Sequence, residues 1–190
     1  MNRRWIWVLV ILFLVDVPLG LWWWYQRRDH RYDEPILAAA RRYGVEPALV
    51  KAVVWRESRF NARARGRQGE FGLMQIREVS AREWATTERN RFFNPSQLLD
   101  PATNTLAGAW YLSKLLRRYA PTDNPFAYSL ADYNAGRSRV RQWNQGSAAT
   151  NSAAFKAQIG FPATQRYVQD VLRRYEHYRP IFPLPAAAQK

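Results

Sequence analysis

The 190-residue chain contains no cysteine. Disulfides, thiolate nucleophiles and cysteine-ligated metals are excluded by that absence. Histidine is nearly absent too: only His30 and His177 occur, each in a basic or polar segment near an end of the 31–182 region. A histidine-built metal site and a Ser-His-Asp triad are therefore not expected, and neither metal nor cofactor is assigned. Acidic residues are scarce beside basic ones, 15 Asp+Glu against 29 Lys+Arg, which leaves a formal net charge of +14. That balance suits an anionic partner such as nucleic acid, anionic lipid or an acidic polymer, and equally suits a solubilising surface. There is no internal repeat, and only the terminal "PAAAQ" has low complexity.

The amino end supplies what the rest lacks. In "MNRRWIWVLVILFLVDVPLGLWWWYQRRDHR" two arginines precede an apolar run from Trp5 to Tyr25, and Gln-Arg-Arg follows it. About 20 apolar residues span a bilayer core. Trp5, Trp7 and the Trp22–Tyr25 cluster lie near its two ends, as an interfacial aromatic belt does. No small-x-small cleavage site follows, so a retained membrane anchor is expected over a cleaved signal peptide. Asp16 in mid-span either faces a partner or water, or is a tolerated lone carboxylate. Arginines flank both sides, and charge alone leaves the orientation open. The expected organisation is an anchor or uncleaved signal at 1–30, a mainly helical domain at 31–182, and a loose tail at 183–190.

Beyond the anchor, helical signals dominate. "EPILAAARRYG" ends in a glycine suited to a C-cap, and "EPALVKAVVWRES" begins with Pro at a first-turn position. "NTLAGAWYLSKLLRRY" repeats apolar residues at helical spacing; "NPFAYSLADYNAG" runs from Asn-Pro to Gly136; "ATQRYVQDVLRRYEHY" is amphipathic through Tyr167, Val171 and Tyr175. The Gly- and Arg-rich "FNARARGRQGEFGLMQI" reads as loop and turn, with room for a short β-hairpin. One mainly α-helical domain, large enough for its own core, is expected.

The stretch "VVWRESRF" holds an oddity. Leu49, Val53 and Glu57 are spaced four apart and share one helix face. A carboxyl at the end of an apolar stripe loses hydration, and a helix C-terminus disfavours an anion. Both effects hold a glutamic acid protonated towards neutrality, as a general acid requires. The competing reading is a helix-ending glutamate paired with Arg56 or Arg59.

The company of Glu57 favours the first reading. Glu57-Ser58 followed by Gly69 to Gln75 ("GEFGLMQ") resembles the signature of the lytic transglycosylases, whose SLT domain has the lysozyme-like fold. Asn104, Gly108, Tyr111 and Leu112 in "NTLAGAWYL", Tyr133 to Gly136 in "SLADYNAG", and Tyr167-Val168 in "TQRYVQDVL" are similar to three further segments of that family, in order. The resemblance implies a mainly α, lysozyme-like SLT domain acting on peptidoglycan glycan strands. Glu57 would be the single general acid and base cleaving the MurNAc-GlcNAc bond without water, leaving a 1,6-anhydromuramoyl end. Met74 and Gln75 would line the cleft near the cleaved sugar. Tyr133 and Asn134 would lie across from Glu57, the phenol within hydrogen-bonding range of it. Tyr167 would close the site from the last helix, and Ser58 would support the helix end or the site. For Met74 and Tyr167 a place in the core is the alternative.

The resemblance also implies cell wall turnover at the inner membrane, with one transmembrane helix and the catalytic domain in the periplasm; cell-envelope protein partners are left open. Departures stand out. Gly66 occupies a place where many relatives carry a sugar-contacting serine, Glu70 replaces a commoner small residue and puts a second carboxylate near the cleft entrance, and Asp132 stands where Ala is usual. Gln165 stands near a Glu-Thr pair of the family that is missing here. Two rivals share the same residues: a hydrolytic muramidase or chitinase-like glycosidase, which releases a reducing end, and a non-catalytic peptidoglycan-binding scaffold. Nucleic acid is not expected as a partner, because the arginines are scattered among the helices and an anchor fits that role poorly.

Overall fold

The structure, a computed structural model, describes residues 13–18, 20 and 29–182. Helix α1 (Asp33–Tyr43) opens with Asp33 and Glu34 and closes with Arg41 and Arg42, charges that match the helix dipole at each end. Gly44 caps it in the left-handed conformation, at φ 64°. Helix α2 (Pro47–Ser58) starts on Pro47 and is buried nearly all round from Ala48 to Val54. It is the central element of the domain, so its apolar residues do not fall on a single stripe.

After α2 the chain turns sharply. Arg59 and Phe60 take φ of 51° and 60°, a left-handed pair without glycine that costs on the order of 1 kcal/mol per residue. Burial of the Phe60 ring offsets that cost. The loop then forms the expected hairpin, with strands β1 (Glu70–Phe71) and β2 (Ile76–Arg77) antiparallel, Glu70 opposite Arg77 and Phe71 opposite Ile76. Helix α3 (Glu78–Thr87) follows directly. Its buried face is only Ala81, Trp84 and Ala85, while Val79 is exposed, so the sequence carries no clear helical stripe there.

Helix α4 (Pro101–Arg118) is capped by Asp100, whose side chain accepts from the Thr103 N–H. Helix α5 (Pro125–Ala135) is capped by Asn124. Gly136 ends α5 as expected, but it also serves as the N-cap of α6 (Arg137–Trp143), so no loop intervenes. The short α7 (Ser152–Gln158) leads to the long α8 (Pro162–Tyr178). Helix α2 packs on α8 and α1, α1 on α4, and α5 lies between α4 and α8.

Lys51 in the middle of α2 is 1% exposed. A buried ammonium is tolerated only when paired. Its Nζ lies 2.5 Å from Asp33 Oδ1 and 4.6 Å from the centre of the Phe182 ring. One cation thus ties the first helix, the central helix and the end of the described chain together. Among the described residues no helix is long and apolar enough to cross a membrane. Most of the expected anchor, and the whole of the expected tail at 183–190, lie outside the described residues.

Candidate active site

A cleft of about 580 Å3 opens between the hairpin on one side and the end of α5 with the start of α8 on the other. Glu57, the penultimate residue of α2, lies in it half-buried. Leu49 and Val53, the other members of its stripe, are fully buried. Burial is the main influence on Glu57 and raises its pKa from 4.5 to about 7. A hydrogen bond from Tyr167 and the charge of Arg56 oppose that rise, and the charge of Glu70 adds to it. Arg56 itself pairs with Asp170 at 3.3 Å, and the Arg59 guanidinium lies over the Trp55 ring at 3.5 Å. Glu57 is thus a carboxylic acid poised to give and take a proton near neutral pH.

Gln75, Tyr133 and Asn134 line the cleft together with Glu57. The hydroxyl that holds Glu57 is not that of Tyr133. Tyr167, on α8 and 1% exposed, donates to Glu57 Oε1 at 2.6 Å. Tyr133 donates instead to the Met74 carbonyl at 2.7 Å, because its ring is held at the end of α5 against Tyr111, at 5.4 Å, and points at the hairpin loop. Met74 contributes only backbone to the site; its side chain is fully buried against Gly108. Ser58 turns its hydroxyl back onto the Val54 carbonyl at 3.1 Å. Asn134 accepts from Thr164 at 2.8 Å, which fixes the α5 end to α8.

Asn104 explains the "GLMQ" run. Fully buried on α4, it accepts from the Met74 N–H and donates to the Phe71 and Leu98 carbonyls, each at 2.8 Å. Gly72, at φ 72°, must be glycine: a Cβ there would meet the Leu98 carbonyl at 2.3 Å. At Gly108 a Cβ would meet Met74 Sδ at 2.2 Å, so the loop rests on the bare backbone of α4. Gln75, at φ 48°, closes the turn by donating to the Gly72 carbonyl at 2.9 Å. The sequence pattern named Asn104 and Gly108 without a role; only the packing shows one.

Two further acidic residues border the cleft, and they differ in kind. Asp132 borders the cleft, yet it is 1% exposed and is held by Arg118 at 2.7 Å and by the Tyr119 hydroxyl at 2.8 Å. It is a structural anion. Glu70, the carboxylate that departs from the family run, lines the cleft with Glu57. Among the described residues no group of three His, Asp or Glu side chains could hold a metal.

Replacing Tyr167 by Phe tests its hold on Glu57. The bond lowers the pKa of Glu57, so its loss is expected to move the alkaline fall in activity to higher pH. Loss of one hydrogen bond to this group is expected to lower turnover roughly tenfold, on the order of 1–2 kcal/mol. An unchanged pH profile and turnover in the variant would reduce Tyr167 to a core aromatic.

Residues 34–156 match the transglycosylase SLT domain family. The soluble lytic murein transglycosylase of Escherichia coli (strain K12) is 35% identical over 142 residues, which is 71% of this chain and 21% of that protein. Membrane-bound lytic murein transglycosylase C of Pectobacterium atrosepticum is 36% identical over 121 residues, 60% of this chain and 34% of that protein. Among solved structures, the complex of a 70-kDa soluble lytic transglycosylase with bulgecin A superposes with a TM-score of 0.73 at 28% identity, covering 85% of this chain and 27% of that one. An inactive Glu-to-Gln mutant of the lytic transglycosylase Slt from Pseudomonas aeruginosa superposes with a TM-score of 0.69, also at 28% identity, covering 78% and 25%. The chain therefore spans 21% to 34% of the length of these relatives. The family match, the identity and the superposition agree with the cleft geometry: the chain belongs to the transglycosylase SLT domain family and has its mainly helical, lysozyme-like fold.

Proposed function

We propose that the chain is a membrane-anchored lytic transglycosylase of peptidoglycan. The observation that carries this reading is Glu57: a carboxylic acid with a pKa near 7, held by Tyr167 and facing an open cleft in a chain of this family. Protonated Glu57 gives its proton to the oxygen bridging N-acetylmuramic acid and N-acetylglucosamine. The C1–O bond breaks, and the electron pair leaves with that oxygen. Glu57, now a carboxylate, takes the proton of the muramoyl 6-hydroxyl as its oxygen bonds to C1. The product is a 1,6-anhydromuramoyl end, and Glu57 is again protonated.

Gln75, Tyr133 and Asn134, which line the cleft, touch sugar in this reading; Ser58, Met74 and Tyr167 act by holding the frame. The excess positive charge faces anionic lipid and the acidic stem peptides. Residues 1–30 form the single-pass inner-membrane anchor, and the domain lies in the periplasm.

One experiment tests the chemistry and the boundary together. The chain lacking residues 1–30 is expected to stay in solution and to digest purified sacculi into products one water lighter than those of a muramidase. Products bearing a reducing end would overturn the transglycosylase reading in favour of a hydrolytic one. An aggregated truncated chain, with activity kept by the full chain in detergent, would instead show that the first 30 residues belong to the fold.

A further inference from the structure

Glu70 stands on β1, in the wall of the cleft that also holds Glu57. Its Oε2 accepts from the Gln68 N–H at 2.9 Å, so the carboxylate is aimed rather than free to sweep through solvent. Gly66 makes room for it. The Gly66 N–H donates to the Glu70 carbonyl at 2.8 Å, and a Cβ on Gly66 would lie 2.1 Å from Glu70 Oε2. The missing side chain at 66 and the carboxylate at 70 are therefore one arrangement: a side chain at 66 would collide with the carboxylate where it stands. The third carboxylate bordering the cleft, Asp132, is already occupied by Arg118 and Tyr119. Among the described residues no ion pair engages Glu70, although the chain carries 29 Lys and Arg. An anion left unpaired in a basic protein, held in place beside the catalytic acid, is available to a cationic partner that arrives with the substrate.

Cleavage of a glycosidic bond creates such a partner. The bond breaks through an oxocarbenium-like state, with positive charge on C1 and the ring oxygen, and a fixed anion beside it acts most strongly in a cleft of low polarity. We propose that Glu70 is a second catalytic carboxylate, contacting the sugar whose bond breaks and stabilising the positive charge that develops at its anomeric carbon. This rests on the glycan-cleaving reading above. Glu70 takes no proton and forms no bond; Glu57 remains the acid and base. The same negative charge helps to keep Glu57 protonated, which links the two residues a second way.

Two variants of the full chain in detergent, assayed on a defined muropeptide oligomer, test this. Glu70→Gln keeps the shape and an acceptor for the Gln68 N–H but removes the charge. It is expected to lower kcat at least tenfold with KM within about twofold, and to move the alkaline fall in activity to lower pH. Gly66→Ala keeps the charge but evicts it from its place, and is expected to lower kcat similarly, with the native circular dichroism retained. A wild-type kcat in either soluble variant would overturn the proposal, as would a rise in KM alone, which would make Glu70 only a sugar-binding group. If Glu70→Gln fails to fold, the kcat of Gly66→Ala decides alone. The wild-type digest separates the two readings: anhydro products with unaffected variants leave the transglycosylase standing and remove Glu70 from its chemistry.

Discussion

Glu57→Gln is expected to abolish glycan cleavage and, above pH 7, to make the protein more stable than the wild type. The amide cannot donate or take a proton, and loss of general acid–base catalysis costs roughly two to four orders of magnitude in rate. The stability effect follows from the same burial that tunes the acid. Glu57 has a pKa of about 7 in the fold against 4.5 as a free side chain. The folded state therefore binds the proton more tightly than the unfolded state. Wild-type stability is full below pH 4.5 in this respect and declines as pH rises through 7, because ionisation favours the unfolded chain. At pH 8 the decline is on the order of 1–3 kcal/mol. Glutamine escapes it while still accepting from Tyr167. Thermal melts of both proteins at pH 4 and pH 8, with clearing of sacculi followed beside them, check the pair of effects. A variant that clears sacculi at the wild-type rate would remove Glu57 from the chemistry. A melting gap that narrows as pH rises would show that Glu57 is not held protonated by burial.

Glu57 was legible because its signal is local. Three residues at helical spacing, two apolar and one acidic, state the conflict that the fold then resolves by burying the two apolar ones fully and the acid only in part. The end of α5 at Gly136 and the cap of α1 at Gly44 were legible for a similar reason, since backbone chemistry acts on its own neighbours. The exchange of Tyr133 for Tyr167 as the partner of Glu57 was not. Both phenols come from distant helices, 76 and 110 residues along the chain from Glu57, and which hydroxyl arrives depends on how α5 and α8 pack. Glu70 was marked in the sequence as a second carboxylate near the cleft entrance, but a two-residue strand has no periodicity to say which way its side chain faces. Its meaning appears only beside Gly66, as an atom occupying the space that a side chain would need. For Met74 the core alternative is the one the fold adopts, and the residue meets the site through its carbonyl.

The same dependence on packing sets the largest stability effect expected outside Glu57. Asn104→Ala removes one fully buried side chain that satisfies three backbone groups at once: the Met74 N–H, the Phe71 carbonyl and the Leu98 carbonyl. Each unpaired buried group costs about 1–3 kcal/mol, and a water entering the vacated space recovers part of it. A net loss of roughly 3–5 kcal/mol is expected, a large share of the 5–15 kcal/mol that holds a domain together. The melting temperature should fall by about 10 °C, at 2–4 °C per kcal/mol for a domain of this size. Activity should fall further than stability explains, because the segment released carries the carbonyl that positions Tyr133 and the backbone of Gln75. Asn104→Asp separates hydrogen bonding from shape. Aspartate fills the same space and can still accept from Met74, but it turns a second acceptor towards two carbonyls that need donors. It should therefore be no more stable than the alanine variant at neutral pH. Melting by circular dichroism, with sacculus clearing measured well below the transition, decides the matter. An aspartate variant near wild-type stability would mean that the loop is held by packing on Gly108 rather than by Asn104. Full activity in the alanine variant at low temperature would mean that the carbonyl of Met74 keeps its place without it.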